Sequence, residues 1–350
     1  MSSKNELSVV SVNRKTWIDI LKGIGILLVV LGHVVIPSGL TAKVIYSFHM
    51  PLFFLISGLL FNYEKWSGNF KVFCKEKFIR LMFPYVFCCL LFFFLWLTFS
   101  VPKPFVDTPA SAIYGIFRNA SLGWLYGIGN HNVYSALSFE PVGPMWFLPS
   151  CFLGLIMLYW FVRLFGKNIK TLMVGGVCLL PIIWFGAYIT KYIYLPWSLD
   201  ITMVAMAFFC AGYVIRRYNV IHLLSSKMWS IPLLLAIWYA AFTFSKISMN
   251  GRFYSNLWLA IIGAICMCLT IMILLYKYHE FLFSNKFGRA IVYCGMNSMV
   301  ILCFHDRLKY YMPKTSWVFY NPIVTMCFLV VVCLFIKFII ERIPKLRKIF

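Results

Sequence analysis

Ten apolar stretches separated by short polar runs set the pattern of the chain: 19–37, 44–62, 80–99, 144–164, 171–189, 200–216, 230–247, 256–276, 288–305 and 322–340. Most are long enough to cross a hydrocarbon core of ~30 Å as a helix rising about 1.5 Å per residue. They lack period-two alternation, so the pattern predicts helices and argues against a transmembrane barrel. The expected fold class is all-α, a polytopic membrane protein of about ten transmembrane helices. A polar N-terminal tail (1–18) precedes a membrane domain (19–340), and a basic tail (341–350) follows it. The tail leads into the first span without a small-residue cleavage site, so that span reads as retained. One long outer connection, 100–143, holds a semi-apolar stretch from Ile113 to Ile128. It suits an interfacial or re-entrant helix as well as a surface loop.

Composition agrees with the pattern. The 350 residues are 62% hydrophobic and only 12% charged, which excludes a soluble domain. The net charge of +22 invites a nucleic-acid reading, but its distribution argues against one. With the N-terminus inside, 23 of the 32 Lys and Arg fall on six separate inner flanks. This is a positive-inside topology signal that places both termini in the cytoplasm. The twelve cysteines are scattered, without Cys-x-x-C or Cys/His spacing. They read as small packing residues, and no metal site is expected.

Polar residues inside the apolar stretches are costly and mark function. Lys22 and His33 share the first span with ten residues between them. Eleven steps of about 100° bring them to the same helix face, separated by roughly 16 Å along the axis. On the expected topology His33, His49, Asp200, Trp146, His305 and Asp306, with Asn250 and Arg252 in a loop, come to the outer side. Three histidines beside carboxylates point to proton chemistry. His33 is the candidate for that chemistry, in the company of His49, Asp200, His305 and Asp306. His131, His222 and His279 are expected in loops. Trp146 and Trp197 suit a sugar ring or serve as interfacial anchors. On the inner side Arg80 precedes Leu81-Met82-Phe83-Pro84, an expected helix start where a guanidinium can hold phosphate. Asn297 and Ser298 lie mid-span and can line a cavity, whereas Ser57-Gly58 suits close helix packing.

As an ordered set these pieces resemble membrane acyltransferase family 3, and within it the branch of polysaccharide and sugar O-acetyltransferases similar to fucose 4-O-acetylases. The matching pieces are Asp19-Ile-Leu-Lys22 with His33, Phe48-His49-Met50-Pro51 to Ser57-Gly58, Lys77-Phe-Ile-Arg80 to Pro84-Tyr85, and Met145-Trp146-Phe147-Leu148. Pro196-Trp197-Ser198-Leu199-Asp200, Phe208-Phe209-Cys210-Ala211-Gly212, Met249-Asn250-Gly251-Arg252 with Tyr254 and Asn256, and Gly295-Met-Asn297-Ser298 to His305 complete it. The family's Arg/Lys-x10-His motif carries over to Lys22 and His33, and Lys22 offers phosphate a point charge where many relatives have the fork of Arg.

The resemblance implies acetyl-CoA as donor, contacted by Lys22, Arg80, Asn297 and Ser298. The acceptor would be a hydroxyl of a lipid-linked or polymeric surface glycan (O-antigen, capsule or exopolysaccharide), contacted by Trp146, Trp197, Asn250 and Arg252. It further implies a multi-pass protein of the bacterial inner membrane. No fused hydrolase-like domain is present in these residues, so the membrane module is expected to complete the transfer. A transporter or flippase without acyl chemistry is the alternative. It predicts polar residues spread through the membrane depth and paired broken helices, and neither pattern is evident.

Overall fold

The computed structural model describes residues 2–99, 110–130, 140–312, 321–347 and 349–350. In chain order the helices are α1 (Ser2–Val34), α2 (Leu40–Tyr46), α3 (His49–Leu60), α4 (Phe70–Lys77), α5 (Phe83–Phe99), α6 (Ala110–Tyr126), α7 (Phe147–Phe165) and α8 (Ile169–Ile189). They continue with α9 (Leu199–Arg217), α10 (Val220–Ser225), α11 (Ser230–Phe244), α12 (Leu257–Ser284), α13 (Lys286–Met296), α14 (Ser298–Tyr311), α15 (Pro322–Arg342) and α16 (Pro344–Arg347). A hairpin of β1 (Lys246–Ser248) and β2 (Phe253–Ser255) joins α11 to α12.

Among the described residues eight helices are long and apolar enough to cross a membrane, or nine if the bent pair α13 and α14 makes one crossing. The protein is therefore an all-α polytopic membrane protein. Two of the ten expected spans depart from single straight helices. The stretch 230–247 yields only the 15 residues of α11. At about 1.5 Å per residue this is roughly 22 Å, short of the hydrocarbon thickness. Side chains from beyond the hairpin stop it. Asn256 Nδ2 donates to the Phe244 carbonyl at 2.5 Å, and Ser255 Oγ accepts from the Lys246 amide at 2.9 Å.

The second departure is an 84° bend between α13 and α14. Asn297 sits at the break with φ −104° and ψ 17°, and its Nδ2 donates to the Tyr293 carbonyl at 2.8 Å. An Asn that bonds its own backbone favours leaving the helix over continuing it.

Polar caps fix several entries. Asn168 and Thr171 form a reciprocal capping box on α8, and Asn321 accepts the Ile323 amide at 2.9 Å before Pro322 opens α15. The expected helix start at Arg80 is absent. Phe78–Met82 is instead a π-helical segment inside one continuous run from Phe70 to Thr98, and Arg80 is exposed on it. Part of the outer connection forms α6, tied to α5 by the Tyr85 hydroxyl on the Trp124 carbonyl at 2.7 Å. Residues 100–109 and 131–139 of it, His131 among them, lie outside the described residues. His222 and His279, expected in loops, sit in α10 and α12.

The chain divides into two compact units. The first comprises Met1–Leu60, Phe208–Ile247 and Ser255–Pro344. Here α1 is central and packs on α13 so closely that a Cβ at Gly23 would meet the Ile291 carbonyl, and one at Gly295 the Asp19 carbonyl. Small residues allow such approach between helices that share no hydrophobic driving force in lipid. Gly58 likewise faces the Phe209 carbonyl, the close packing expected for Ser57-Gly58. The second unit comprises Phe61–Ala207, Ser248–Tyr254 and Lys345–Phe350. One end of it is an aromatic cluster in which Phe70, Phe73 and Tyr159 stack, with Trp66 against Phe73 and the Tyr159 hydroxyl donating to the Trp66 carbonyl.

Candidate functional site

In the first unit the last turn of α1 meets α14. His33 Nδ1 lies 3.6 Å from Asp306 Oδ1, and the His33 and His305 rings are 5.2 Å apart at 65°. Lys309 Nζ donates to the His33 carbonyl, which places a cation on a carbonyl that α1 leaves unpaired at its C-terminus. His305 is fully buried, and its Nδ1 is 2.7 Å from the Ile301 carbonyl. A carbonyl only accepts, so Nδ1 carries the proton and Nε2 presents a lone pair. His49 repeats the arrangement, with Nδ1 2.8 Å from the Ile45 carbonyl and its ring against Tyr46 at 5.3 Å. The Tyr46 hydroxyl in turn donates to the Gly32 carbonyl at 2.6 Å.

Three expected residues, His33, His49 and His305, thus share one unit, and His33 touches His305. The carboxylate facing His33 is Asp306. An imidazole beside a carboxylate is a pairing suited to proton transfer. Neighbouring Asp306 and Lys309 complete the arrangement. Lys309 could have been found from sequence, since it falls one helical turn after His305 on the same face.

Lys22 lies on the same continuous helix, eleven residues before His33. It is not a lone cation, because Asp19 Oδ1 sits 3.1 Å from its Nζ and both side chains are a quarter exposed. The backbone crossing at Gly295 brings the end of α13 against this turn of α1, and Asn297 and Ser298 follow within three residues. From there α14 packs along α1 to His305 and Asp306. Two adjacent helices therefore carry polar residues at both levels, Lys22 and His33 on one, Asn297 and His305 on the other.

In the second unit Asp200, expected to orient the base, has another partner. Its Oδ2 accepts from Arg252 Nε at 2.6 Å, with both side chains almost fully buried. Arg252 also donates to Ser198 Oγ at 3.2 Å and lies over the Tyr194 ring at 4.2 Å. Arg252, expected to contact the acceptor, is buried, and a buried guanidinium needs such a pairing. Ser198 Oγ donates to the Gly127 carbonyl at 2.7 Å, and Thr202 Oγ1 donates to the Ser198 carbonyl at 2.9 Å.

Trp197, Ser198 and Arg252 all hold left-handed backbone, with φ of 54°, 54° and 53°. Such strain in non-glycine residues persists only where surroundings impose it, and it concentrates at functional sites. Trp197 rests against Phe152 at 6.3 Å, and a Cβ at Gly129 would meet both Asn250 and the buried Trp146. Burial, reinforced by the Asp200 carboxylate, pushes the Tyr254 phenol well above its ordinary value, so it stays protonated. Tyr254 and Ser198 had entered the sequence argument only as motif neighbours, since nothing in their spacing marks a contact with Asp200 or Arg252.

Comparison with known proteins identifies the family of the chain. Residues 15–342 match the family described as Acyltransferase domain. The chain is similar to Nodulation protein NolL of Mesorhizobium japonicum (strain LMG 29417 / CECT 9101 / MAFF 303099), 32% identical over 156 residues covering 42% of this chain and 35% of that protein. It is also similar to Nodulation protein NolL of Sinorhizobium fredii (strain NBRC 101917 / NGR234), 28% identical over 217 residues covering 59% of this chain and 50% of that protein. The chain therefore spans half or less of the length of these curated relatives. No solved structure matches. The match over nearly the whole chain means that this protein, with its several membrane-length helices, belongs to the Acyltransferase domain family.

Proposed function

We propose that the protein is an O-acetyltransferase that moves an acetyl group from acetyl-CoA to a sugar hydroxyl of a lipid-linked or polymeric surface glycan, in the inner membrane of a bacterium. The observation that carries this reading is the His33–Asp306 pair at the end of α1, with His305 against it. An imidazole whose Nδ1 faces a carboxylate is a general base through Nε2. In the direct route Nε2 takes the proton as the sugar oxygen attacks the thioester carbon. The carbon–sulfur bond then breaks and the proton passes to the departing thiolate. In the carrier route Nε2 itself attacks, the carbon–sulfur bond breaks and thiolate leaves; the sugar oxygen then takes the acetyl group from Nε2, and its proton passes to that thiolate. His49 and His305 are proposed to line the same reaction centre.

The donor reading rests on the continuity of α1. Its rise from Lys22 to His33, roughly 16 Å, is comparable with a pantetheine arm. Lys22, with Asn297 and Ser298 beside its turn, is proposed to meet the phosphate end of the donor. Exposed Arg80 in the second unit is proposed as a separate phosphate contact. Trp146, Trp197 and Asn250 are proposed for the acceptor, with Arg252 acting through Asp200.

The test is transfer of radiolabel from acetyl-CoA to a crude lipid-linked glycan extract by purified protein, with His33→Ala beside wild type. Label in glycan from wild type alone is the expected result. Failure of folded wild type to bind acetyl-CoA would remove the acetyl-donor reading and favour transport.

A further inference from the structure

Three buried polar atoms of the second unit have no hydrogen-bond partner: Asp200 Oδ1, Asn250 Oδ1 and the Tyr254 hydroxyl. An orphaned buried polar atom is costly, and more so when charged, so three in one unit need an explanation. They belong to one cluster. Asp200 is ion-paired to Arg252, Tyr254 lies within electrostatic reach of both, and Asn250 precedes Arg252 by two residues. The backbone here is strained at Trp197, Ser198 and Arg252, and the Trp146 indole stands beside Asn250 across Gly129.

The chemistry of the orphans selects a ligand. A carboxylate oxygen and an amide oxygen can only accept, and the phenol can donate or accept. A partner must therefore bring at least two donors held on a rigid frame, as vicinal hydroxyls or an acetamido N–H on a sugar ring do. Net charge narrows the class further. The cation of the cluster, Arg252, is already neutralised by Asp200 at 2.6 Å. An acidic sugar would find no free cation among the cluster's described residues and would meet the open oxygen of Asp200.

We infer that Asp200, Asn250 and Tyr254 form a subsite for a neutral sugar ring, which excludes uronic and other acidic sugars. This deepens the proposed function by naming its acceptor class, and it rests on that reading only for what happens to the sugar after binding. The recognition pattern is one of hydrogen-bond acceptance. Sites built to bond a substrate hydroxyl discriminate strongly against ligands lacking it, because their buried polar groups are then left unpaired. In this arrangement Arg252 positions Asp200 and does not touch the sugar.

The experiment is direct binding, read by ligand-observed NMR on full-length protein in detergent, so that it stands apart from catalysis. The probes are methyl glycosides of a neutral hexose, a neutral 6-deoxyhexose, an N-acetylhexosamine and a hexuronate. The variants are Tyr254→Phe and Asn250→Ala. Tyr254→Phe deletes an unpartnered hydroxyl and so keeps the thermal midpoint of wild type. We expect at least one neutral glycoside to bind wild type, about tenfold weaker binding in each variant, and no hexuronate binding. Hexuronate binding equal to or tighter than neutral sugar overturns the inference, as does unchanged affinity in Tyr254→Phe or no sugar binding at all. Sugar binding without acetyl transfer would leave the subsite standing and remove only the transferase reading.

Discussion

Asp306 sets its carboxylate 3.6 Å from Nδ1 of His33, joining the end of one apolar helix to the middle of another 273 residues later. The pair lies partly exposed beside buried His305. Replacing Asp306 with Asn keeps the shape but removes the charge that faces His33. We expect turnover to fall by about 10²–10⁴-fold, with acetyl-CoA affinity unchanged. Single-turnover label transfer together with donor binding checks this, and parallel loss of both would mean that Asp306 only supports the fold.

Lys309 acts on the same imidazole from the backbone side. Its ammonium caps the His33 carbonyl, so Lys309→Met should fray the last turn of α1 and loosen the ring. The stability cost is about 0.3–1 kcal/mol, typical of a cation at a helix C-terminus. The expected kinetic signature is a several-fold lower kcat at unchanged acceptor KM, partly rescued by Lys309→Arg. A shift in KM alone would assign Lys309 to substrate binding.

Much of this was legible from sequence, and for a physical reason. Hydropathy reports directly on lipid, so among the described residues eight of the expected spans emerge as helices long and apolar enough to cross a membrane. What it cannot report is where a helix bends or stops. Asn297 breaks an apolar run through its own side-chain bond, and Asn256 ends α11 from twelve residues away. The same limit holds at the site. His33, His49 and His305 stand out because imidazoles are rare in lipid, yet which carboxylate each would meet depends on packing. Asp200 and Asp306 looked equivalent along the chain. Arg252 is buried against the first, and only the second faces an imidazole.

The α1–α13 crossing gives a steric prediction. A methyl at Gly295 would run into the Asp19 carbonyl, an atom that cannot rotate away. Gly295→Ala should therefore destabilise by about 1–3 kcal/mol through overpacking. Gly176, on α8, faces open space within 4 Å, and Gly176→Ala serves as the matched control. Thermal midpoints in detergent should fall for the first and hold or rise for the second. Equal midpoints would show that the two helices can slide apart without cost.

The Asp200–Arg252 pair is buried on both sides, so removing one charge strands the other. Asp200→Asn is expected to cost about 3–5 kcal/mol and to lower the yield of folded protein. The double variant Asp200→Leu with Arg252→Met should recover much of that loss while still failing to bind a neutral sugar. Size-exclusion profiles measure the first effect and glycoside binding the second. Recovery of sugar binding in the double variant would show that neither charge is needed for recognition.

Lys22 gives a prediction of opposite signs on one helix turn. Its ammonium is shared with Asp19 at 3.1 Å, both side chains being a quarter exposed, so the pair contributes little to stability. If Lys22 meets the donor's phosphates, Asp19 competes with them for the same cation. Lys22→Ala should then weaken acetyl-CoA binding by about tenfold, a loss of roughly 1.4 kcal/mol. Asp19→Asn should strengthen binding a few-fold, most clearly at low ionic strength where the competing charge is least screened. His33→Ala, at the far end of the same helix, should leave donor affinity intact and abolish transfer. Calorimetric titration of the three variants separates the outcomes. A pair serving only the fold would lose thermal stability equally from either end and leave the donor affinity of both variants at the wild-type value.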